Sequence, residues 1–158
     1  MATVVGFDFG LKRFGAAVGQ SVSMTASPLK EIPAQDGIPR WEAIEALLEE
    51  WKPALVIVGE PLNMDGSVSE MALRARKFAR RLHGRYNLRV EMADERLTSS
   101  EAKSMVRERY GQRDFGRYAV DSIAAVFIVE SWLETHADNL DAFLHPPRKQ
   151  GKSDDIID

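Results

Sequence analysis

Residues 3–18, TVVGFDFGLKRFGAAV, read as two β-strands folded back on each other. Thr3–Phe9 is rich in β-branched and aromatic residues, Gly10–Arg13 supplies a glycine-containing turn, and Phe14–Val18 returns beside the first strand. A third extended run fits Met24–Ile32, where Pro28, lacking an N–H, argues for an edge position. These three runs predict an antiparallel meander, followed by a loop from Pro33 to Pro39.

The hydrophobic period then changes. Ile44, Leu47, Leu48 and Trp51 recur at helical spacing, with Pro39 suited to the helix's first turn and Pro53 as its stop. Leu55–Val58, ending at Gly59, has the composition of a strand buried on both faces. A turn at Asn63–Gly66 leads into a long basic helix from Val68 to Arg85, and Leu88–Met92 reads as the next strand. Thr98 followed by Glu101 has capping-box spacing and opens a helix towards Tyr110. A basic loop covers Gly111–Gly116, and a last helix runs from Tyr118 to Glu134. A meander followed by strand–helix alternation predicts an α/β fold. Its sheet has five strands, three antiparallel and then two parallel, flanked by helices. One domain over residues 1–144 and a polar, disordered tail at 145–158 are expected.

Composition narrows the chemistry. The chain has 158 residues, 44% hydrophobic and 28% charged, as in an ordinary globular protein. The absence of cysteine excludes disulfide frameworks, thiolate zinc sites and cysteine nucleophiles. No apolar run approaches a membrane span, and the first residues enter a strand pattern rather than a signal peptide, so cytoplasmic residence is expected. The net charge of −3 conceals an asymmetry. From Arg74 to Arg117, 13 Lys/Arg stand against 6 Asp/Glu, a local +7, which leaves −10 for the rest. A basic middle in an acidic chain suits a polyanion, although solvated helix faces would give the same count.

Acids at three points of the chain sit where such sheets collect chemistry, beyond the carboxyl ends of parallel strands. Asp8 ends the first strand on the face of Val4 and Gly6, where an ionised carboxylate is costly without a cation or donors. Asp94 and Glu95 end the strand Leu88–Met92, and the two-residue period lets at most one of them face a shared centre. Asp121 opens the last helix, sharing a face with Ala124, Ala125 and Ile128. Each acid alone also fits a turn or a helix N-terminus. Together, clustered carboxylates call for a divalent cation, and oxygen-only ligands favour Mg²⁺ or Mn²⁺. Such sites activate water for attack on phosphate.

Four motifs carry a resemblance. They are Gly6-Phe7-Asp8-Phe9-Gly10 with Lys12-Arg13 and Gly15, and Val58-Gly59 with Pro61 to Ser67. The others are Asp94-Glu95-Arg96-Leu97-Thr98 with Glu101-Ala102, and Asp121-Ser122-Ile123-Ala124-Ala125. In this order and spacing the chain resembles the YqgF/RuvX family of Holliday-junction-resolvase-like proteins, described as pre-16S rRNA nucleases, over about Val4 to Leu144. The resemblance implies an RNase H-like fold and metal-dependent hydrolysis of phosphodiester bonds, with 5′-end trimming of the 16S rRNA precursor as the attributed role. It makes Asp8, Glu95 and Asp121 the catalytic, metal-binding acids. Lys12, Arg13 and Arg96 become nucleic-acid contacts. The sequence shows no obvious dimer stripe, so a monomer or weak dimer is expected. Glu60 departs from the family's usual apolar residue and reads as an exposed loop acid or an extra ligand, the former favoured; Ser99 replaces a threonine. The histidines read as surface or tail residues, and Trp41, Trp51 and Trp132 as core or rim packing. A junction-cutting DNA resolvase and a non-catalytic RNA-binding factor are the rival readings.

Overall fold

The computed structural model describes residues 2–95, 108 and 120–144. Six strands and four helices cover them: β1 (Thr3–Asp8), β2 (Arg13–Gln20), β3 (Thr25–Gln35), β4 (Ile38–Pro39), α1 (Trp41–Trp51), β5 (Leu55–Glu60), α2 (Glu70–Tyr86), β6 (Val90–Asp94), α3 (Val120–Thr135) and α4 (Leu140–Leu144). The strand order is β4-β3-β2-β1-β5-β6. β1 pairs antiparallel with β2 and parallel with β5, and β5 pairs parallel with β6, in keeping with the expected antiparallel meander followed by two parallel strands. Among the described residues no helix is long and apolar enough to cross a membrane.

The sheet has six strands rather than five because Pro33–Pro39 is not a loop. β3 continues to Gln35, Asp36 and Gly37 make the turn with φ of 54° and 83°, and Ile38–Pro39 returns as β4. Two central residues with positive φ make the kind of turn that favours Asp-Gly, because glycine has no Cβ to clash there. Pro39 therefore pairs with Ala34, and α1 starts after Arg40. Pro28 and Pro33 lie in β3, whose outer side is paired, among the described residues, only at Ala34 and Gln35, so its prolines cost few ladder bonds.

β1 separates two cores by strict alternation. Val5, Phe7 and, beyond its end, Phe9 face α1 and α2, while Val4 faces α3. On the first face Phe7 and Phe14 meet Phe78 of α2 edge-on, with ring centroids 5.6 and 4.7 Å apart. Such pairs add about 0.5–1.5 kcal/mol each beyond burial. The second face is kept low by small residues, and a methyl on Gly6 would overlap Val129 of α3. This helix is apolar almost all round, which matches its cover of the whole sheet from β3 to β5. All of β5 is buried, as expected of a strand covered on both sides.

Ser69 caps α2, its hydroxyl accepting from the Ala72 N–H at 3.0 Å. At the other end Asn87, with φ of 55°, takes the left-handed conformation that closes many helices. The expected helix from Thr98, apart from residue 108, the basic loop at Gly111–Gly116 and the tail at 145–158 fall outside the described residues.

Candidate active site at the carboxyl ends of β1, β5 and β6

Asp8 is the last residue of β1 and pairs with Gly15 of β2. It continues the phase of Val4 and Gly6, so it belongs to the α3 face of the sheet and is half-buried there. The turn after it is tight, because a side chain on Gly10 would collide with the Arg13 carbonyl.

Glu95 follows β6 directly and turns back over β5. A Cβ on Gly59 would lie 2.5 Å from its Oε2 and 2.6 Å from Ile128 Cδ1. The missing side chain at Gly59 is thus the space that this carboxylate fills. Phe7 pairs with Val58, so Asp8 and Gly59 are the next positions on adjacent parallel strands. The strands lie about 4.8 Å apart. Two of the three expected acids therefore project beside each other at one sheet end. Asp94, the other acid of the pair, aligns with Glu60 instead.

Asp121 stands in the first turn of α3, and only its backbone is described. The position of that turn is firmly set by its neighbour. The buried Ser122 hydroxyl donates to the Leu29 carbonyl at 2.6 Å and accepts the Ala16 N–H at 3.3 Å. Ala16 adjoins Gly15, the partner of Asp8, so the start of α3 is held at the same end of the sheet. Among the described residues no group of three His, Asp or Glu is placed to hold a metal ion. Arg96 lies outside them.

Lys12 and Arg13 are exposed on the β1–β2 turn, Arg13 reaching Glu31 at 3.8 Å. Glu60 corrects the expectation of an exposed loop acid. It is the last residue of β5, 9% exposed, and its carboxylate is paired with Arg76 of α2. The strand continues past Gly59, and the Arg76 guanidinium meets the charge where the expectation of an extra ligand would have placed a metal ion. The histidines also differ from expectation. His83 is half-buried with Nδ1 at 2.9 Å from the Leu88 carbonyl. His136 stacks on Trp132 at 4.1 Å, in a recess that Glu95 and Ile128 border. His145 lies outside the described residues. Trp132 is buried and Trp41 and Trp51 half-buried, in keeping with packing roles.

Gly59 and Ser122 are the site residues that sequence reasoning passed over. A glycine inside a strand signals close approach, and that signal was legible. A buried serine bridging two strands leaves none.

The profile of the RuvX family, described as "Holliday junction resolvase", matches residues 2–135. A protein of Hahella chejuensis named "Putative pre-16S rRNA nuclease" is 98% identical over 158 residues, covering 100% of both chains. One of the same name from Marinobacter nauticus is 56% identical over 134 residues, 85% of this chain and 94% of that one. Among solved structures, Thermus thermophilus RuvC bound to a Holliday junction substrate has a TM-score of 0.57 at 16% identity, covering 87% and 97% of the two chains. The fowlpox virus Holliday junction resolvase gives 0.53 at 17%, covering 84% and 98%. At these identities the structures speak to fold alone, and the fold is the RNase H-like α/β architecture expected from the sequence. With its profile matched across nearly the whole described structure and a half-identical relative aligned along most of its length, the chain belongs to the RuvX family.

Proposed function

We propose that this protein is a metal-dependent nuclease that hydrolyses phosphodiester bonds in 5′-end maturation of the 16S rRNA precursor, acting in the cytoplasm as a monomer or weak dimer. The observation that carries the reading is the Glu95 carboxylate lodged over Gly59, one strand from Asp8. Two carboxylates brought together at a strand end repel each other unless a cation is shared. A donor set of carboxylate oxygens without thiolates fits Mg²⁺ or Mn²⁺. Asp8, Glu95 and Asp121 are the residues that would hold it. A bound ion of this kind lowers the pKa of water and offsets charge on the phosphate. Lys12, Arg13 and Arg96 hold phosphates beside the acids, and the first two stand on the turn that leaves Asp8. The names of the RuvX relatives direct the reading to precursor rRNA.

The description of the family profile favours a second reading, the same chemistry on a four-way DNA junction. Purified wild type and Asp8→Asn, each with Mn²⁺ or with EDTA, separate the possibilities on precursor 16S rRNA and on a junction. Mn²⁺-dependent RNA cleavage that Asp8→Asn abolishes, with RNA binding kept, is expected. Full activity in Asp8→Asn removes the mechanism. Cleavage of the junction alone removes the RNA assignment, and RNA binding without cleavage by the wild type makes the protein a non-catalytic factor.

A further inference from the structure

The outer side of α2 takes no part in the chemistry above, yet it is not an even distribution of charge. Arg74, Lys77 and Arg81 are spaced by three and four residues, which puts them on one strip of the helix. With Trp41, Phe9 and Gly37 they line a recess of about 360 Å³. Arg76 is turned away to Glu60, so the strip is selective. Lys77 and Arg81 are exposed and have no ion pair among the described residues. Arg74 meets the exposed Glu70 at 3.5 Å and donates to the Asp36 carbonyl at 3.4 Å. Trp41 is half-buried, held 5.9 Å from Phe78, with the Arg85 guanidinium 4.0 Å over its ring.

Cations in a row beside an aromatic ring and a guanidinium plane suit a single nucleic-acid strand. Its phosphates meet the cations, and an unpaired base finds a flat surface. A duplex keeps its bases stacked inside and cannot use the ring. The recess lies on the opposite face of the sheet from Asp8 but at the same end, one turn away. Phe9 follows Asp8, and the Gly37 N–H donates to the Leu11 carbonyl at 2.9 Å, fixing the β3–β4 turn to the turn that carries Lys12 and Arg13.

We infer that this recess is a track for single-stranded RNA flanking the cut. A strand whose scissile phosphate lies at Asp8 crosses the β1–β2 turn, sets successive phosphates on Arg74, Lys77 and Arg81, and packs one base beside the stacked Trp41–Arg85 pair. The position of the cut rests on the nuclease reading; the binding does not.

The test uses the full chain in EDTA, so that binding is read without cleavage, and a fluorescein-labelled uridine oligomer of about 12 nucleotides. Lys77→Glu/Arg81→Glu should weaken binding at least tenfold at low salt. It should also flatten the slope of log affinity against log salt by about 1.4, at about 0.7 per phosphate contact on a single strand. Lys77→Gln/Arg81→Gln should give the same flattening with a smaller loss. Trp41→Leu should weaken binding without changing the slope, and the wild type's tryptophan fluorescence should be quenched by the oligomer. Wild-type affinity and slope in both double variants would overturn the track. So would a blunt RNA duplex bound as tightly and with the same dependence on Trp41. Loss of the nuclease reading appears elsewhere, as full cleavage by Asp8→Asn, and leaves these binding measurements unaffected.

Discussion

Replacing Gly59 by alanine tests whether the gap in β5 is what positions Glu95. The new methyl carbon would lie 2.5 Å from Glu95 Oε2 and 2.6 Å from Ile128 Cδ1. Ordinary contact is about 3.5 Å, so the carboxylate must retreat by about 1 Å. A misplacement of about 1 Å in a reacting group costs roughly 100-fold in rate. That is about 2.7 kcal/mol, at about 1.36 kcal/mol per factor of ten. Stability should suffer much less. Both clashing atoms are far ends of side chains that can turn, so the overpacking belongs near the lower end of about 1–3 kcal/mol. The melting temperature should then drop by only about 2–4 °C. The assay is kcat for RNA cleavage at saturating Mn²⁺, with a thermal melt of the same preparation. Gly59→Ala combined with Glu95→Gln should be no slower than Glu95→Gln alone, because both changes act through one carboxylate. A Gly59→Ala enzyme within about threefold of wild type, folded normally, would refute the idea that the gap sets the acid.

Other expectations follow from the packing. Gly6→Ala drives a methyl into the buried, branched Val129 and should cost about 3 kcal/mol in chemical denaturation; Val129→Ala on the same chain should recover part of it. Arg76→Ala leaves Glu60 buried without its partner and should destabilise by about 2–3 kcal/mol, whereas Glu60→Leu, which removes the buried charge, should stay within about 1 kcal/mol of wild type. Equal losses in the two variants would contradict this account of the pair. Ser122→Ala strips the Ala16 N–H and the Leu29 carbonyl of a shared partner and should cost about 1–3 kcal/mol, with a matching fall in kcat if the start of α3 carries part of the site.

The residues that spoke clearly in the sequence were those whose neighbours are near in the chain or whose pattern has one solution. β1, β2 and β5 were legible because apolar runs of that length between turn signals have little else to become. That the last two strands run parallel followed from the helices before them, whereas the pairing of β5 with β1 is a matter of register that the structure supplies. Asp36-Gly37 was a readable hairpin signal, masked by Pro33 and Pro39, which suggested a loop although an edge strand tolerates both. Glu60 was misread because its partner, Arg76, lies on a helix whose rotation is fixed by Phe78 and Leu82 reaching the core. The nearness of Asp8 and Glu95 could be expected from strand ends, but the device that seats Glu95, an absent side chain on the strand between them, depends on register. The strip of Arg74, Lys77 and Arg81 was hidden for the same reason. Six cations in twelve residues look evenly spread until the helix shows which of them is already engaged.

The arrangement of the sheet also has an order in time. Asp8 is made early, and β1 to β3 can pair as soon as residue 35 has emerged. Their outer face, with Val4, Gly6, Ala17 and Gly19, then lies bare, because the helix that roofs it follows every strand of the sheet along the chain. A growing chain therefore holds its first acid without the strand that leads to the second and without the helix that covers that face of the sheet. Under the chemistry proposed above, a ribosome cannot display a working cutter of RNA until the helix that follows the sheet has been made.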